Sequence, residues 1–588
     1  MDSTEKQTPR VSDFNLKQLL HEKWPDILFW TLAAIILFLF LGGRPIAGSE
    51  GRWGCVVREM LNSGDYWHPT VNYESYFDKP LVSYWLILLC SLFNGREVSE
   101  LVVRIPSAIA ALGVLWSVRY MARRLWHSER TAQAASWMLL GTYGFVYWGR
   151  LGEADMLNLA LSTLAVAWYL HCREEPGFRA YLIFGALCAV GGHTKGMSAI
   201  AIPVVAVLVD ILLSDRIRRH LNWKLLCAVL LSVGLYLLPF LGASVFGNTR
   251  SDSGLALALR ENVVRFFNAF DHKGPWYIYF VYLPELLLPW SPFVLLALVW
   301  AFRNWRILDR GEQWLCGSIV AIFAVFSLSE SKRVYYILPI LPFCALLTGR
   351  FLSATSGARW KAMERLRLFF LRRVYTVMLV GICALLILAF PVGYFVLRSK
   401  TDWLYCDFWG IAYGLVWSAP FFAVLAFLAG RAGKRLEKKW RNSFYLYRNA
   451  VCLAVLVGIS FSFVQPLVEA FTRSTRPFFS NLRKTLDVSG IPCEQVAFLQ
   501  YTYIDPTYYL GYMKQVRVLG DDEQLRAFLN ENPTAVVIAQ RRHLDMVQDS
   551  ALKERVSQAI AFAESRNSWD RKGNFKKKCV VAVVRREP

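Results

Sequence analysis

The sequence predicts an α-helical polytopic membrane protein of about thirteen transmembrane helices followed by a soluble C-terminal α/β domain. Three observations predict it. Apolar runs of about 18 residues or more recur through residues 27–468, the length an α-helix needs to cross a bilayer. Basic residues gather in alternate gaps between those runs. From about residue 470 the apolar density drops, and short strand-like runs alternate with helical patterns.

The elements follow in order. Residues 1–26 are polar and of mixed charge. They lack a short basic start with an early small-residue cleavage site, so the expectation is a retained first span and a cytoplasmic N-terminal segment. The first span, "ILFWTLAAIILFLFL", starts at Ile27 and runs toward Pro45. An outer loop, 46–102, follows. In it Trp53, Val56, Val57, Met60 and Leu61 recur at helical spacing, which predicts an amphipathic helix on the membrane surface. Ser49 is the expected cap and Ser63-Gly64 the expected stop. The apolar segment 81–93 is only 13 residues long, which suits an interfacial or re-entrant helix. Later spans are expected near 103–121, 131–149, 155–171, 179–192, 197–213, 224–246, 283–302, 314–328, 334–350, 374–397, 408–429 and 449–467.

The side assignment rests on the loops. If 81–93 does not span, "ARRLWHSER", "HCREEPGFR", "SDRIRRHLNWK", "RNWRILDRGEQ", "ARWKAMERLRLFFLRR" and "GRAGKRLEKKWRNSFYLYR" all face the cytoplasm. Counting it as a span turns all of them outward, against the positive-inside rule. The same rule accounts for the net charge of +22, so nucleic acid is not an expected partner. Residues 469–588 then form an outer-face, periplasmic domain with strands in "QVAFLQ", "QVRVL", "TAVVIAQ" and "CVVAVV". Helical patterns in "DDEQLRAFLN" and "ALKERVSQAIAFAES" lie between them. The twelve Cys show no metal-type spacing. Cys55, Cys406, Cys493 and Cys579 lie outside the spans, but no pairing follows from that.

The outer face gathers ionisable residues: Glu50, Glu153, Asp155, Lys195, Asp271, His272, Lys273, Lys332 and Arg333. An acid in the first turn of a helix also complements its dipole, and charges at span ends snorkel to water. Acids and bases collected on one side fit a common cavity better. Lys and Arg at that depth suit a lipid phosphate. Carboxylates suit general-base work on a hydroxyl, or a metal.

Six stretches in order, "SEGRWGCVVREMLNSGDYWHP", "YFDKPLVSYW", "EADMLNLAL", "HTKGMSAIAIPVV", "ENVVRFFNAFDHKGPWYIYFVYLPELLLPW" and "FSLSESKRVYYILPILP", resemble the GT-C glycosyltransferases that use polyprenyl-phosphate sugars. The resemblance is to the lipid A aminoarabinose transferases within the protein O-mannosyltransferase-like group. It covers residues 27–350 and, more loosely, the whole chain. It implies a first outer loop carrying catalytic carboxylate chemistry. The family's Asp-Glu pair reads Ser49-Glu50 here, so Glu50 is the remaining acid of that motif and Asp155 the acid after the third span. The resemblance implies donor-phosphate contacts from Arg58, Lys79, Lys195, Lys332 and Tyr336. Glu153, Arg265, Asp271, Lys273 and Arg333 would line the substrate cavity. The resemblance implies no definite cofactor and leaves room for a divalent metal, for which Asp78 and His272 are the candidate ligands. The implied activity is inverting transfer of a sugar from polyprenyl (undecaprenyl) phosphate to an acceptor hydroxyl or phosphate. The acceptor could be a lipid, glycan or protein at the outer face of the inner membrane. The alternative is a polytopic lipid or solute transporter, which should place ionisable groups near the bilayer midplane beside broken helices.

Overall fold

The computed structural model describes residues 16–46, 48–214, 217–246, 273–353, 361–375, 377–379, 381, 444–466, 475–559, 561–564 and 579–585. The spans expected at 374–397 and 408–429 fall almost wholly outside these residues. So do Arg265, Asp271 and His272.

The membrane part is built around α4 (Glu100–Trp126), with Ser99 as its N-cap and His127, at φ +48°, as its stop. Helix α1 (Leu16–Phe38), α5 (Glu129–Leu140) and α7 (Asp155–Cys172) pack against it. The shared core runs through Phe29, Leu32, Ala111, Val114, Met138 and Leu159, all essentially without solvent contact. Small residues permit close approach where Gly149 meets Ala111, since a Cβ on Gly149 would lie 3.1 Å from the Ala111 Cβ. Among the described residues five helices are long and apolar enough to cross a membrane. Joining Tyr279–Leu286 and Ser291–Arg303, which bend 118° at their junction, gives up to six. The span expected at 283–302 is therefore a bent helix pair rather than one continuous helix. The expected span at 131–149 is likewise two helices, α5 and α6 (Tyr143–Gly149), parted at Gly141-Thr142.

The first outer loop forms as its periodicity requires. Helix α2 (Glu50–Ser63) buries Trp53, Val56, Val57 and Met60 and ends at Gly64, whose φ of +74° suits glycine. Helix α3 (Leu81–Leu92) has 12 residues, about 18 Å of rise, and packs on α2 and α4. The expected cap at Ser49 does not form: its side chain makes no bond to the helix and turns to Glu153 instead.

Strands β1 (Thr70–Val71) and β2 (Glu74–Ser75) pair in the first outer loop, and the C-terminal unit is a five-stranded sheet of β3 (Val496–Leu499), β4 (Arg517–Leu519), β5 (Thr534–Gln540), β6 (Ala561–Glu564) and β7 (Cys579–Arg585) in the order β4-β3-β5-β7-β6. Strands β3, β4 and β5 are parallel. Strand β7 runs antiparallel to β5 and to β6. Alternation splits the two faces: Ala497, Leu499 and Val537 meet Phe528 and Leu552, whereas Phe498, Val536 and Ile538 meet Phe479 and Leu510. The helical reading of "ALKERVSQAIAFAES" holds only to Ser557, because Ala561–Glu564 pairs with β7 as a strand.

This domain docks on the first outer loop. Tyr508 donates to the Val98 carbonyl (2.9 Å), the Ile46 N–H donates to Tyr509 (2.9 Å), and Asn72 exchanges two bonds with the Val516 backbone (2.8 Å each). Gly54 makes the closest approach possible: a Cβ there would lie 2.4 Å from the Tyr508 ring.

Candidate active site

A cavity of about 420 Å³ opens where α2 and the 76–81 segment meet α7, the loop 193–198, Pro239–Ala243 and the segment 322–339. That volume suits a small ligand or a head group, about 300–1,000 Å³. Its cations are Arg52, Lys79, Lys195 and Arg333, and its acids are Asp78 and Asp155.

Lys195 pairs with Asp155 and lies 4.2 Å from the Tyr335 ring and 5.1 Å from that of Tyr336. Asp155 sits at the first turn of α7, which turns it inward beside the loop carrying Lys195. Lys79 donates to Asp78 (3.2 Å), which also accepts from Tyr76 (2.9 Å) and stands 3.7 Å from Arg52. Burial alone would raise the Asp78 pKa, but Lys79, Tyr76 and Arg52 outweigh it and hold the carboxyl below its usual range.

Glu50 does not line this cavity. It is fully buried and accepts from Arg44 (2.6 Å), twice from Arg104 (2.9 and 3.0 Å) and from the Gly152 N–H (2.8 Å). Burial pushes its pKa up, yet the two guanidiniums overcome this and pull it down to about 2. Arg104 saturates its other donors on the Leu41, Arg44 and Pro45 carbonyls. Glu50 is thus the counter-ion of a buried arginine pair that ties the end of the first span to α2 and α4. A catalytic acid needs reach to the substrate; this geometry gives Glu50 none.

The other expected residues divide. Lys79, Asp155, Lys195, Arg333, Tyr336 and Asp78 come together at the cavity. Arg58 does not: it donates to the Tyr508 carbonyl (2.6 Å) and stacks on that ring at 4.8 Å, fastening the C-terminal domain. Lys332 is turned to the Ser329 carbonyl and packs on Gly274, and burial lowers its pKa. Lys273 is exposed and pairs with Glu330 at 3.5 Å. Glu153 lies just behind the cavity, hydrogen-bonded to Ser49. The described residues hold no group of three His, Cys, Asp or Glu side chains suited to a metal, and Asp78 is already engaged by Lys79.

Sequence reasoning missed four participants. Arg44 and Arg104 answer Glu50 from 6 and 54 residues away. Arg52 and His193 line the cavity; His193 Nε2 faces the Tyr236 carbonyl, and its buried Nδ1 has no protein partner among the described residues. The one signal available was position: Arg52 follows Glu50 by two residues, and His193 precedes Lys195 by two.

The fold is that of a multi-pass membrane protein of the ArnT type. The chain aligns with the crystal structure of ArnT from Cupriavidus metallidurans bound to undecaprenyl phosphate, at TM-score 0.66 and 18% identity, over 95% of this chain and 98% of that one. Residues 78–242 match the family described as dolichyl-phosphate-mannose-protein mannosyltransferase. The particular resemblance is to undecaprenyl phosphate-alpha-4-amino-4-deoxy-L-arabinose arabinosyl transferases. That of Pseudomonas fluorescens (strain Pf0-1) is 30% identical over 341 residues, 56% of this chain and 58% of that protein. That of Edwardsiella ictaluri (strain 93-146) is 30% identical over 57% of this chain and 61% of that protein. The chain therefore spans about three-fifths of the length of the curated relatives it matches.

Proposed function

We propose that this protein is a membrane glycosyltransferase that takes a sugar from a polyprenyl phosphate, undecaprenyl phosphate in a bacterium, and passes it to a second substrate at the outer face of the inner membrane. The observation that carries this reading is the meeting of Arg52, Lys79, Lys195 and Arg333 at one cavity within a GT-C fold. The names of the relatives at about 30% identity support the same donor class.

The donor phosphate rests against Lys79, Lys195, Arg333 and Tyr336. Bound as a phosphodiester it carries one negative charge; released as a phosphomonoester it carries more. Fixed cations therefore stabilise the leaving group more than the ground state, which is what lowers the barrier. Asp155 keeps the Lys195 ammonium aimed at the cavity until phosphate competes for it. The acceptor attacks the anomeric carbon from the face opposite the phosphate, a direct displacement that inverts configuration. The N-terminal segment is cytoplasmic and the C-terminal domain periplasmic, held over the first outer loop by Arg58 and Tyr508.

Purified protein incubated with lipid extract from its host tests this reading. Mass spectrometry should record loss of polyprenyl-phosphate sugar, release of polyprenyl phosphate and a matching mass gain on an acceptor. Donor that persists unchanged beside a folded protein refutes it.

A further inference from the structure

The cations Arg52 and Lys79 stand on two separate segments of the cavity wall, and the C-terminal domain holds both segments. Arg52 belongs to α2. Lys79 belongs to the stretch between the β1–β2 hairpin and α3. The two meet at Asp78, which lies 3.2 Å from Lys79 and 3.7 Å from Arg52. Tyr76 joins them, accepting from Arg52 (2.7 Å) and donating to Asp78 (2.9 Å).

The hairpin that leads to Lys79 does not support itself. Strands β1 and β2 have two residues each, and their turn sets Asn72 and Tyr73 at φ +55° and +60°. An isolated hairpin is marginally stable at best, and left-handed backbone at two residues other than glycine adds to the cost. Partners on two sides hold the turn. On the α2 side, Glu59 accepts from the Thr70 hydroxyl (2.6 Å) and from the Asn72 and Tyr73 N–H groups (2.8 and 2.9 Å). On the side of the C-terminal domain, the Val516 backbone exchanges two bonds with the Asn72 side chain (2.8 Å each), and Gln515 donates to Glu74 (3.1 Å). Asn72 is buried, so water does not compete for these bonds.

Helix α2 is gripped along a stripe. Gly51, Gly54, Cys55 and Arg58 recur at helical spacing and meet the helix Ile504–Leu510 of the C-terminal domain. A Cβ at Gly51 would lie 2.7 Å from Ile504, and one at Gly54 2.4 Å from Tyr508. Arg58 ends the stripe on the Tyr508 carbonyl and ring. The apolar stripe of Trp53, Val56, Val57 and Met60 packs into a separate cluster with Tyr84 and Val103. Arg52, next to Gly51, reaches the cavity from a helix fixed on both of these faces.

On this geometry we infer that the C-terminal domain positions the donor site: through Arg58 and Asn72 it fixes the two segments that carry Arg52 and Lys79. Arg58 and Asn72 are positioning residues; neither lines the cavity. The inference rests on the transferase reading above. Its physical basis is that a contact misplaced by about 1 Å by a distant change costs up to about 10²-fold.

Two double-mutant cycles on the full-length protein in nanodiscs test it, with undecaprenyl phosphate as the probe. Asn72→Gly removes both bonds to Val516 and suits the positive φ, so the turn itself is not strained. Arg58→Met removes the guanidinium and keeps an unbranched stem over Tyr508. Each should raise the undecaprenyl phosphate Kd by about 3–30-fold in the wild-type background. Asn72→Gly should cause no further loss in Lys79→Met, nor Arg58→Met in Arg52→Met, because the cation being positioned is gone. A residue that serves stability alone gives losses that add. Binding is read on the monodisperse fraction, so a poorly folding variant lowers the yield and not the affinity. A Kd unchanged in both single variants, or losses that add in both cycles, overturns the assignment. Wild-type protein that binds no undecaprenyl phosphate overturns the transferase reading itself, whereas binding without coupling overturns this inference alone.

Discussion

Replacing Glu50 by alanine should damage the fold before it damages the chemistry. The variant leaves Arg104, with no solvent exposure, and Arg44, at 5%, facing each other across an emptied site. The fall of the Glu50 pKa from 4.5 to about 2 means the folded state favours its charged form by about 3 kcal/mol. Breaking a buried ion pair by removing one partner costs about 3–5 kcal/mol, which agrees. The sign is fixed by the depressed pKa. The contribution is fully present above pH 4.5 and is lost as pH falls toward 2, so an assay at neutral pH reads all of it. Intrinsic-fluorescence melting in detergent at pH 7.5 should record a midpoint lowered by about 2–4 °C, accompanied by aggregation on size exclusion. Glu50→Gln should fall between, since it keeps an acceptor but not the charge. A Glu50→Ala protein that melts with the wild type yet transfers no sugar refutes the argument and returns Glu50 to the reaction.

Three further outcomes are expected. Lys195→Met should weaken undecaprenyl phosphate binding in nanodiscs by about 10–100-fold, the worth of one hydrogen bond to a charged group; an unchanged Kd removes Lys195 from the phosphate site. Asp505 has its pKa raised to about 6 by burial, with Glu50 adding to it and Thr475 opposing. A raised carboxyl pKa weakens the fold as pH climbs from about 4 to 6, so Asp505→Asn should stabilise the protein at pH 7.5 by up to about 3 kcal/mol and do nothing at pH 3.5. Melting curves at the two pH values decide it, and equal shifts at both contradict the cause given. Gly54→Val drives a side chain into the Tyr508 ring, so the C-terminal domain should become markedly more sensitive to trypsin, while a digestion rate equal to wild type would show that the docking face has slack.

How far the sequence carries depends on the range over which each feature is encoded. The buried stripe of α2 and its stop at Gly64 repeat a local period and a local backbone preference, so both are legible in residues 49–64. Segment 81–93 is read as non-spanning from its length together with the basic loops that follow it, and the structure gives it a helix of 12 residues. Strands β3, β4, β5 and β7 follow the short apolar runs that predict them. Strand β6 escapes that reading because Ala561–Glu564 continues a helical period, and only pairing with β7 makes it a strand. The bend between Tyr279–Leu286 and Ser291–Arg303 is signalled locally, by Pro284, Pro289 and Pro292, and hydropathy alone passes over it.

The cavity divides in the same way. Counting spans and basic loops leads one to expect Lys79, Asp155, Lys195, Arg333 and Tyr336 on one face, and the structure gathers them at one cavity. Which charge answers which is a matter of tertiary distance. Arg104 meets Glu50 across 54 residues, Glu153 meets Ser49 across 104, and Arg58 leaves the cavity for Tyr508 across 450. A residue's type fixes the charge it can carry and so the chemistry open to it. Its partners fix whether that charge is spent on holding the fold or left for a substrate, and those partners are chosen only when the chain closes.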